Sequence, residues 1–431
     1  MKINRLHLSD FRGVGELVLD LQGKSAILFG INGVGKSTIL SAVNLLYVPI
    51  LNKLTRQKIK QPGNIKLSDI RTGKASADIS AEFMFAEDGQ VLPFGRGITY
   101  ENRRISNNGQ LERLVEHYET LYVGRQWVDE NNDLMADDQE HNIPIFVNYG
   151  VNRLVLKTPL RFRKRPSYGR FEAFEKAIED QIAFDRLFEW FFDQEYFEIK
   201  MQKEDPDYRD KELTAVKTAM LAMLDDCEDI HIVAKPYSMR ITKDGEDLDI
   251  LQLSDGEKCT LALFGDIARR LAQANPSLED PLKGKGVVLI DELELHMHTS
   301  WQRKVIPALN KTFPDIQFII TTHSPQILGE VGEELAIFSL SRAGKEIEVQ
   351  PLSSLFGVDS NAILEDNMQT DAVSRSIKSE VEKMYDLIEQ KDYENAERAA
   401  DRIDRLTCSR NADTVRARVM IRRGKIRYAK D

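Results

Sequence analysis

Cysteine is scarce in this sequence of 431 residues. The three that occur, Cys227, Cys259 and Cys408, show no C-x-x-C spacing. Zinc knuckles and redox pairs depend on that spacing, and disulfides need an oxidising compartment. We therefore expect neither a cysteine-based metal site nor disulfides, and the composition is typical of a cytoplasmic protein.

Long apolar runs and sustained heptads are also absent. No apolar segment approaches the roughly 20 residues that cross a bilayer, and residues 1–3 lead into a strand pattern rather than a signal peptide. We expect no membrane contact and no long coiled-coil arms. With 69 acidic and 59 basic side chains, the net charge is −10. This balance disfavours a surface that binds nucleic acid everywhere, although local basic patches could still bind it.

The strongest chemical signal lies between residues 30 and 38. Residues 30–37 fit G-x-x-x-x-G-K-[ST] at every fixed position, after an apolar run and before a helical pattern. Glycines let backbone N–H groups turn toward a phosphate, the helix N-terminus adds partial positive charge, and Lys36 reaches the β- and γ-phosphates. Ser37 would offer its hydroxyl to Mg²⁺. We therefore predict a nucleoside triphosphate site. The predicted binding residues of this loop are Asn32, Gly33, Gly35, Lys36, Ser37 and Thr38.

Three later segments carry groups that could complete this site. Ser254 and Gly256 stand at the start of a helical pattern, where a hydroxyl, backbone N–H groups and the helix dipole favour an anion. Asp291 and Glu292 follow an apolar strand pattern; with the P-loop serine, Asp291 could hold Mg²⁺, and Glu292 could polarise the attacking water. His323 ends another strand pattern, from which its imidazole could sense the γ-phosphate. Glu292 and His323 are therefore the catalytic candidates.

In this order the four motifs resemble those of the ATP-binding-cassette superfamily. The signature reads Leu-Ser-Asp-Gly-Glu from residue 253, and the last two motifs read Ile-Asp-Glu and Thr-Thr-His-Ser-Pro. They resemble the RecF, SMC and OLD-type ATPases rather than transporters, over residues 1 to 330. The resemblance implies an α/β fold, an ABC-type P-loop ATPase head with a mixed sheet and a helical lobe, here followed by a C-terminal α-helical tail. It also implies ATP and Mg²⁺ as ligands.

The resemblance divides the motifs between two copies of the chain. In the superfamily, two heads dimerise face to face, and each nucleotide lies between the P-loop of one chain and the signature of the other. Ser254 and Gly256 would then act in trans, whereas Asp291, Glu292 and His323 would act in cis. Such a head-to-head dimer could belong to a larger homo-oligomer.

Three places depart from the superfamily pattern or allow two interpretations. His296 and His298 stand where transporters carry the D-loop aspartate. The resemblance to OLD-like proteins makes His298 a dimer contact, and a metal-binding pair is the alternative. No Q-loop glutamine is evident, because the strand that precedes Asn148 occupies its place. Arg12, in a predicted turn before the P-loop strand, could contact nucleotide or simply belong to a turn.

The chain divides into four predicted segments. Basic stretches occur in the first, second and last of them, and each could contact DNA or RNA or form an ordinary solvated surface. The basic stretches are residues 49–75, 153–170 and 416–430. The predicted segments are an N-terminal part of the head with the P-loop and an inserted basic loop (1–152), a mainly helical lobe (153–250), a C-terminal part of the head (251–352) and a helical tail for oligomer or partner contacts (353–431).

The last hundred residues contain no recognisable nuclease site. They lack the strand-borne carboxylates of a TOPRIM domain and an HNH-like cluster of histidine and asparagine. Together with the segment 290–298, the tail resembles that of the ATPase subunits of Septu antiphage systems, which also occur in some retrons. The resemblance implies a nucleotide-dependent regulator and scaffold for a separate HNH nuclease subunit. Two alternatives remain, a RecF-like DNA repair ATPase and the ATPase of another two-gene defence system with a TOPRIM partner.

Overall fold

The computed structural model forms two compact units, Met1–Val358 and Asp359–Asp431. Most of the basic stretch 153–170 and Cys408 lie outside the described residues. The finer division of the larger unit at residues 152 and 250 stays a prediction. The described residues are 1–55, 64–101, 105–107, 110–124, 126–128, 134–136, 142–153, 169–234, 237–344, 346–368, 375–407 and 412–428.

Strands and helices alternate through most of the larger unit, and helices fill the smaller one. The strands of the described residues are β1 (Lys2–Ser9), β2 (Glu16–Asp20), β3 (Ala26–Gly30), β4 (Ser76–Met84), β5 (Val91–Thr99), β6 (Ile105–Asn107), β7 (Gln126–Val128), β8 (Leu134–Ala136), β9 (Ile145–Tyr149), β10 (Cys227–Ala234), β11 (Tyr237–Lys243), β12 (Glu246–Asp249), β13 (Gly286–Ile290), β14 (Ile316–Thr322), β15 (Ala336–Ala343) and β16 (Glu346–Leu352). The α-helices are α1 (Lys36–Leu54), α2 (Leu111–Tyr122), α3 (Phe184–Met201), α4 (Lys211–Leu221), α5 (Asp255–Ala274), α6 (Thr299–Thr312), α7 (Pro325–Leu328), α8 (Ser360–Ala362), α9 (Arg375–Glu389), α10 (Tyr393–Leu406) and α11 (Ala412–Tyr428).

A six-stranded sheet positions the predicted motifs. Its order is β16-β15-β3-β14-β13-β9, and only β16 runs antiparallel to its neighbour. Every residue of β3, β9, β13 and β14 is buried, as expected for parallel strands covered on both faces. Because the carboxyl ends of parallel strands meet at one edge, the segments after β3, β13 and β14 lie side by side. The structure confirms the predicted α/β class with a mixed sheet and C-terminal helices.

Helix α1 lies between this sheet and a second, antiparallel one. The second sheet has the order β2-β1-β4-β5-β6, and it contains the predicted hairpin of β1 and β2. The Tyr47 ring of α1 stacks on Phe146 of β9 at 3.6 Å and meets Phe83 of β4 edge-on at 5.5 Å. By length and composition α1 alone among the described helices could cross a membrane, but 67% of the relevant window is buried inside the protein. Such burial is typical of a core helix.

Three local predictions need correction. Helix α1 continues through Pro49 to Leu54, where we expected a loop, because packing on both faces outweighs the cost of an internal proline. Residue periodicity predicts a helix from Phe171 to Phe197, but α3 begins only at Phe184, and Lys176 before it adopts a positive φ of 55°, outside the helical region. The predicted helical lobe also contains the antiparallel sheet β10-β11-β12. Its second hairpin turns at Asp244-Gly245, an overlooked Asp-Gly signal.

The smaller unit is built on three helices, α9, α10 and α11, in the tail that the sequence predicted to be helical. The spacing of Asp401 and Asp404 predicts a solvent-exposed face, but their carboxylates have a partner on another helix. Both accept hydrogen bonds from the Arg418 guanidinium of α11, at 2.6 and 2.7 Å. The helices pack around an apolar cluster. Its members are Met384, Ile388, Ala396, Ala400, Ile403, Ala417 and Ile421.

Candidate nucleotide-binding site

The loop between β3 and α1 needs glycine at two positions. Gly30 and Gly35 have φ of 150° and 103°, which side-chain-bearing residues rarely adopt. A Cβ on Gly30 would also lie 2.2 Å from the Leu340 carbonyl oxygen, and one on Gly35 would lie 2.7 Å from Ile347 Cδ1. Strands β15 and β16 therefore press against the back of the loop, while its front stays open at Asn32, Gly33 and Ser37, which are exposed.

The Lys36 side chain is buried inside the loop. Its ammonium donates to the carbonyl oxygens of Gly30 at 2.9 Å and Ile31 at 3.1 Å. Burial lowers the pKa of Lys36, and the negative charges of Glu292, Glu294 and Asp291 act in the opposite direction. These carboxylates are thus near enough to share one electrostatic site with the ammonium. Thr38, one residue beyond Ser37, is half-buried.

The turn after β13 holds Asp291 and Glu292 through Thr321 of β14. The Thr321 hydroxyl donates to Asp291 Oδ1 at 2.5 Å and accepts from the Glu292 backbone N–H at 2.8 Å. The backbone N–H of Leu293 bonds to the Thr321 carbonyl oxygen at 3.0 Å. Glu292 itself has a positive φ of 48°, which is uncommon for a residue with a side chain. The two carboxylates therefore sit on a turn fixed from the neighbouring strand.

His323 is fixed by a carboxylate that our sequence analysis missed. Glu294 accepts hydrogen bonds from the His323 backbone N–H at 2.6 Å and from the Thr322 hydroxyl at 2.7 Å. Burial lowers the pKa of His323, as does the charge of Lys36, whereas Glu294, Glu292 and Asp291 raise it. The net effect lowers the pKa of His323, which favours the neutral imidazole. The only sequence signal for Glu294 was a second acidic residue two positions after Glu292.

Ser254 and Gly256 lie in the first turn of α5, apart from this cluster. Ser254 and Glu257 form a capping box, in which the Ser254 hydroxyl donates to Glu257 Oε2 at 2.8 Å. Lys243 of β11 donates to the other carboxylate oxygen at 2.7 Å. A Cβ on Gly256 would lie 2.8 Å from the His296 carbonyl oxygen, so the glycine lets α5 approach the turn after β13. No hydrogen bond of the described residues joins Ser254 to the P-loop.

His298 and Arg12, which the sequence left open to two interpretations, both have local hydrogen-bond partners, and their proposed contacts with a second copy or with nucleotide stay predictions. His298 caps α6, since its Nδ1 accepts from the Ser300 backbone N–H at 3.3 Å. Over the part of the chain that the structure describes, no group of three or more His, Cys, Asp or Glu residues could hold a metal ion, which leaves a His296–His298 pair without a third ligand. Arg12 donates from Nε to Asp69 at 2.8 Å, an ion pair that closes its turn.

Asn148, at the place of the absent Q-loop glutamine, is buried. Its side-chain amide donates to Asp180 Oδ1 at 3.1 Å, and its backbone N–H bonds to the Ala177 carbonyl oxygen at 2.7 Å. These bonds join β9 to the segment before α3. The Asn148 amide therefore has a structural partner, Asp180.

The residues present fit ATP and Mg²⁺. Glycines at 30 and 35 let the loop fold closely against β15 and β16 with its front open to an anion, and among the described residues the hydrogen-bond partners of the Lys36 ammonium are carbonyl oxygens. The Ser37 side chain is exposed at the start of α1, and Asp291 still has Oδ2 beside the bond it accepts on Oδ1. A hydroxyl and a carboxylate are the ligands that Mg²⁺ takes beside phosphate oxygens.

Comparisons with known proteins agree with this chemistry. Residues 25–329 match the protein family described as "AAA domain, putative AbiEii toxin, Type IV TA system". The chain is 28% identical over 395 residues to "Retron Ec83 probable ATPase" of Escherichia coli, covering 76% of this chain and 69% of that protein. It is 22% identical over 336 residues to "Septu protein PtuA" of Bacillus thuringiensis, covering 76% and 72%. A solved structure, "Crystal structure of the SmcHead bound to the C-winged helix domain of ScpA", is 14% identical with a TM-score of 0.49, covering 82% of this chain and 98% of that one.

Proposed function

Since this chain belongs to the family described as "AAA domain, putative AbiEii toxin, Type IV TA system", we propose that it is an ATP-hydrolysing subunit of a bacterial antiphage defence complex. In this proposal it regulates and scaffolds a separate HNH nuclease according to its nucleotide state. The retron and Septu relatives support the setting. The observation that carries the proposal is the convergence of Lys36, Asp291, Glu292 and His323 on one edge of the sheet.

The geometry suits phosphate binding followed by attack of water. Lys36 would exchange its two loop carbonyls for phosphate oxygens, an exchange that costs little because both are hydrogen-bond acceptors for the same ammonium. Ser37 and Asp291 would hold Mg²⁺, which when bound neutralises phosphate charge. Glu292 would accept the proton of the attacking water, and neutral His323 would contact the γ-phosphate.

The signature would complete the site of a second copy. Ser254 is exposed, and its capping box with Glu257 keeps the α5 N-terminus in one conformation. An exposed hydroxyl at a helix N-terminus, where the helix dipole is positive, attracts an anion from a neighbouring molecule. The proposed unit is thus a head-to-head dimer with two composite ATP sites, within a larger homo-oligomer.

The outer face of α11 supplies the proposed nuclease dock. Val415, Val419 and Ile426 recur at helical spacing on this face and are 47%, 49% and 56% exposed. Arg422 and Arg423 are exposed on the same helix. An apolar row beside arginines fits an amphipathic helix that carries acidic residues, and we assign that helix to the nuclease subunit.

Nucleic-acid binding by the basic stretch 49–75 receives less support. Among its described residues, Lys53 pairs with Glu112 at 2.6 Å, Arg71 with Glu346 at 2.8 Å and Lys74 with Asp10 at 3.3 Å. These cations are engaged within the protein itself. DNA or RNA contact through the other basic stretches is therefore a secondary proposal.

The test is purification of the tagged chain from its native operon, with and without ATP, followed by mass photometry and mass spectrometry. We expect an oligomer that carries an HNH protein. Val419→Asp combined with Ile426→Asp should release that protein, while Met420→Asp should not. Met420 is a matched control, because it is 47% exposed on α11 but lies outside the apolar row.

Other outcomes would overturn parts of this proposal. A monomer or an ATP-dependent dimer without any partner, combined with salt-sensitive DNA affinity, would favour a RecF-like repair ATPase. A TOPRIM protein in place of the HNH protein would favour another two-gene defence system. An HNH protein that stays bound to the α11 double variant would remove the apolar row as its dock.

A further inference from the structure

Arg153 is a buried arginine four residues beyond the end of β9. Its side chain is 1% exposed, and it precedes a segment outside the described residues. The sequence marked it only as the first member of a basic stretch. Burial of a guanidinium is costly unless its donors are bonded, so the partners of this side chain identify its role.

The guanidinium donates to the backbone on both sides of the predicted catalytic position. Nη1 donates to the Asp291 carbonyl oxygen, and Nη2 donates to the Glu292 carbonyl oxygen at 2.7 Å. A planar guanidinium can serve two carbonyls in a fixed geometry, which a lysine ammonium cannot reproduce. The bond pair therefore fixes the orientation of the peptide that leaves Glu292.

The backbone at Glu292 is the part of this turn that requires support from its surroundings. Glu292 has φ of 48°, a conformation that a side-chain-bearing residue keeps only when its surroundings impose it. Thr321 accepts hydrogen bonds from the backbone N–H groups of Glu292 and Leu293. Arg153 donates to the carbonyl oxygens on either side of the Glu292 φ and ψ angles, those of Asp291 and Glu292. If the backbone at Glu292 relaxed to negative φ, the carboxylate would point in another direction.

Arg153 also reaches the helix that carries the signature. Cys259 of α5 is fully buried; burial raises the pKa of its thiol, and the charge of Arg153 and a hydrogen bond from it act in the opposite direction. Cys259 lies three residues after Gly256. The Arg153 charge thus acts on the first turns of α5, while its hydrogen bonds to backbone go to the turn of Glu292.

We propose that Arg153 is a positioning residue for hydrolysis, which holds the Glu292 carboxylate in its working direction. The inference rests on the proposed ATPase function and adds a residue to it. Arg153 acts through Glu292 and does not touch nucleotide. Its loss should lower the rate of hydrolysis and spare the affinity for ATP.

The test compares Arg153→Lys with Arg153→Met in the full chain, each also combined with Glu292→Gln. We expect single-turnover hydrolysis to fall at least tenfold, while the dissociation constant for a fluorescent ATP analogue changes less than threefold. In the Glu292→Gln background the same substitutions should change the residual rate less than twofold, because the group that Arg153 orients is already gone. A purely structural role would slow both backgrounds alike.

Arg96→Lys is the matched control. Arg96 is also buried, and it donates to the Leu45 carbonyl oxygen at 2.7 Å, away from the turn of Glu292. It should lose thermal stability as Arg153→Lys does and keep its hydrolysis rate within twofold. Arg153→Met provides a second variant that should fold, because it removes both donors without leaving a cation in a buried site.

Each outcome decides the inference. Wild-type rates in both Arg153 variants, or equal slowing with and without the Glu292 carboxylate, would overturn it while leaving the ATPase proposal intact. A wild-type chain that binds ATP but never hydrolyses it, alone or in its complex, would overturn the proposed function and this inference with it.

Discussion

The Tyr149 hydroxyl donates to Asp266 Oδ2 at 2.9 Å, in the interior behind the candidate site. Tyr149 ends β9, and Asp266 lies in the middle of α5 with no exposed surface. Arg269 and Arg270 donate to the same carboxylate at 2.6 and 2.9 Å. Burial acts to raise the pKa of Asp266, but the two guanidiniums outweigh it and lower that pKa to about 2. This cluster joins the sheet to the signature helix.

Asp266→Asn should destabilise the larger unit severely. The substitution leaves two buried guanidiniums without a counter-charge, a loss on the order of 3–5 kcal/mol in the free energy of unfolding. Urea denaturation followed by circular dichroism measures it. Asp225→Asn, which removes a solvent-exposed pair with Lys304, is the control and should change little. A loss below ~1 kcal/mol at Asp266 would mean that the cluster does not hold the two elements together.

The lowered pKa of Asp266 predicts that the free energy of unfolding depends on pH. The folded pKa of Asp266, about 2, lies below the unfolded value, so between roughly pH 4 and 2 the unfolded chain binds the extra proton. Its contribution is therefore complete above pH 4 and is lost as the pH falls toward 2. The difference in unfolding free energy between wild type and Asp266→Asn should shrink by roughly 2.5 kcal/mol over that window. A constant difference would show that Asp266 is not ionised in the folded state.

Lys36→Ala should abolish nucleotide binding. It removes the one ammonium of the loop, which in our proposal would form a charge-assisted hydrogen bond to phosphate in a site otherwise rich in carboxylates. We expect the dissociation constant of a fluorescent ATP analogue to rise at least a hundredfold, on the order of 3 kcal/mol. The melting temperature without nucleotide serves as the folding control. An affinity within threefold of wild type would mean that the loop does not hold the phosphates.

Glu292→Gln should separate binding from hydrolysis. The amide keeps the size of the side chain but cannot accept the proton of water, so turnover should fall by about 10² to 10⁴. ATP binding should persist, and dimers should accumulate in size-exclusion chromatography with ATP. Glu294→Gln is the comparison, because its carboxylate holds the His323 backbone rather than facing water. Undiminished turnover in Glu292→Gln would remove Glu292 as the base.

Ser254→Arg should spare ATP binding and block hydrolysis. The arginine would obstruct the face that we propose meets a second head, and losing the cap costs about 1 kcal/mol. Ser254→Thr keeps a capping hydroxyl and is the control. A mixture of Ser254→Arg and Lys36→Ala chains should regain part of the activity, since one of the two composite sites of the mixed dimer is intact. Normal hydrolysis by Ser254→Arg alone would show that the site is not shared.

Local pattern predicted the parts of the site that depend on one strand end. The loop before Lys36, the carboxylates after β13 and the histidine after β14 could be located, because each follows an apolar strand with a fixed spacing of residue types. Their convergence could be expected from the common edge of a parallel sheet. Whether these residues act as assigned is a matter for the variants above.

Pattern could not find partners that come from distant segments. Glu294 and Arg153 have neighbours fixed only by the fold, and nothing in their own spacing distinguishes them from surface charges. The predicted end of α1 was wrong for a related reason. Pro49 breaks helices by local rules, but α1 is buried between two sheets and stays helical through it. The sheet β10-β11-β12 had a usable Asp-Gly turn signal, which we passed over.

Strands β15 and β16 limit how far the larger unit can be truncated at its C-terminal end. β15 pairs in parallel with β3, and the carbonyl of its Leu340 lies against Gly30. Both β15 and β16 nevertheless follow the region that matches the family. A fragment that stopped at residue 329 would leave β3, wholly buried and apolar, as an open sheet edge with unpaired N–H and C=O groups. Such an edge templates intermolecular strand pairing. Truncated head fragments should therefore precipitate, and the shortest soluble fragment should extend through Leu352.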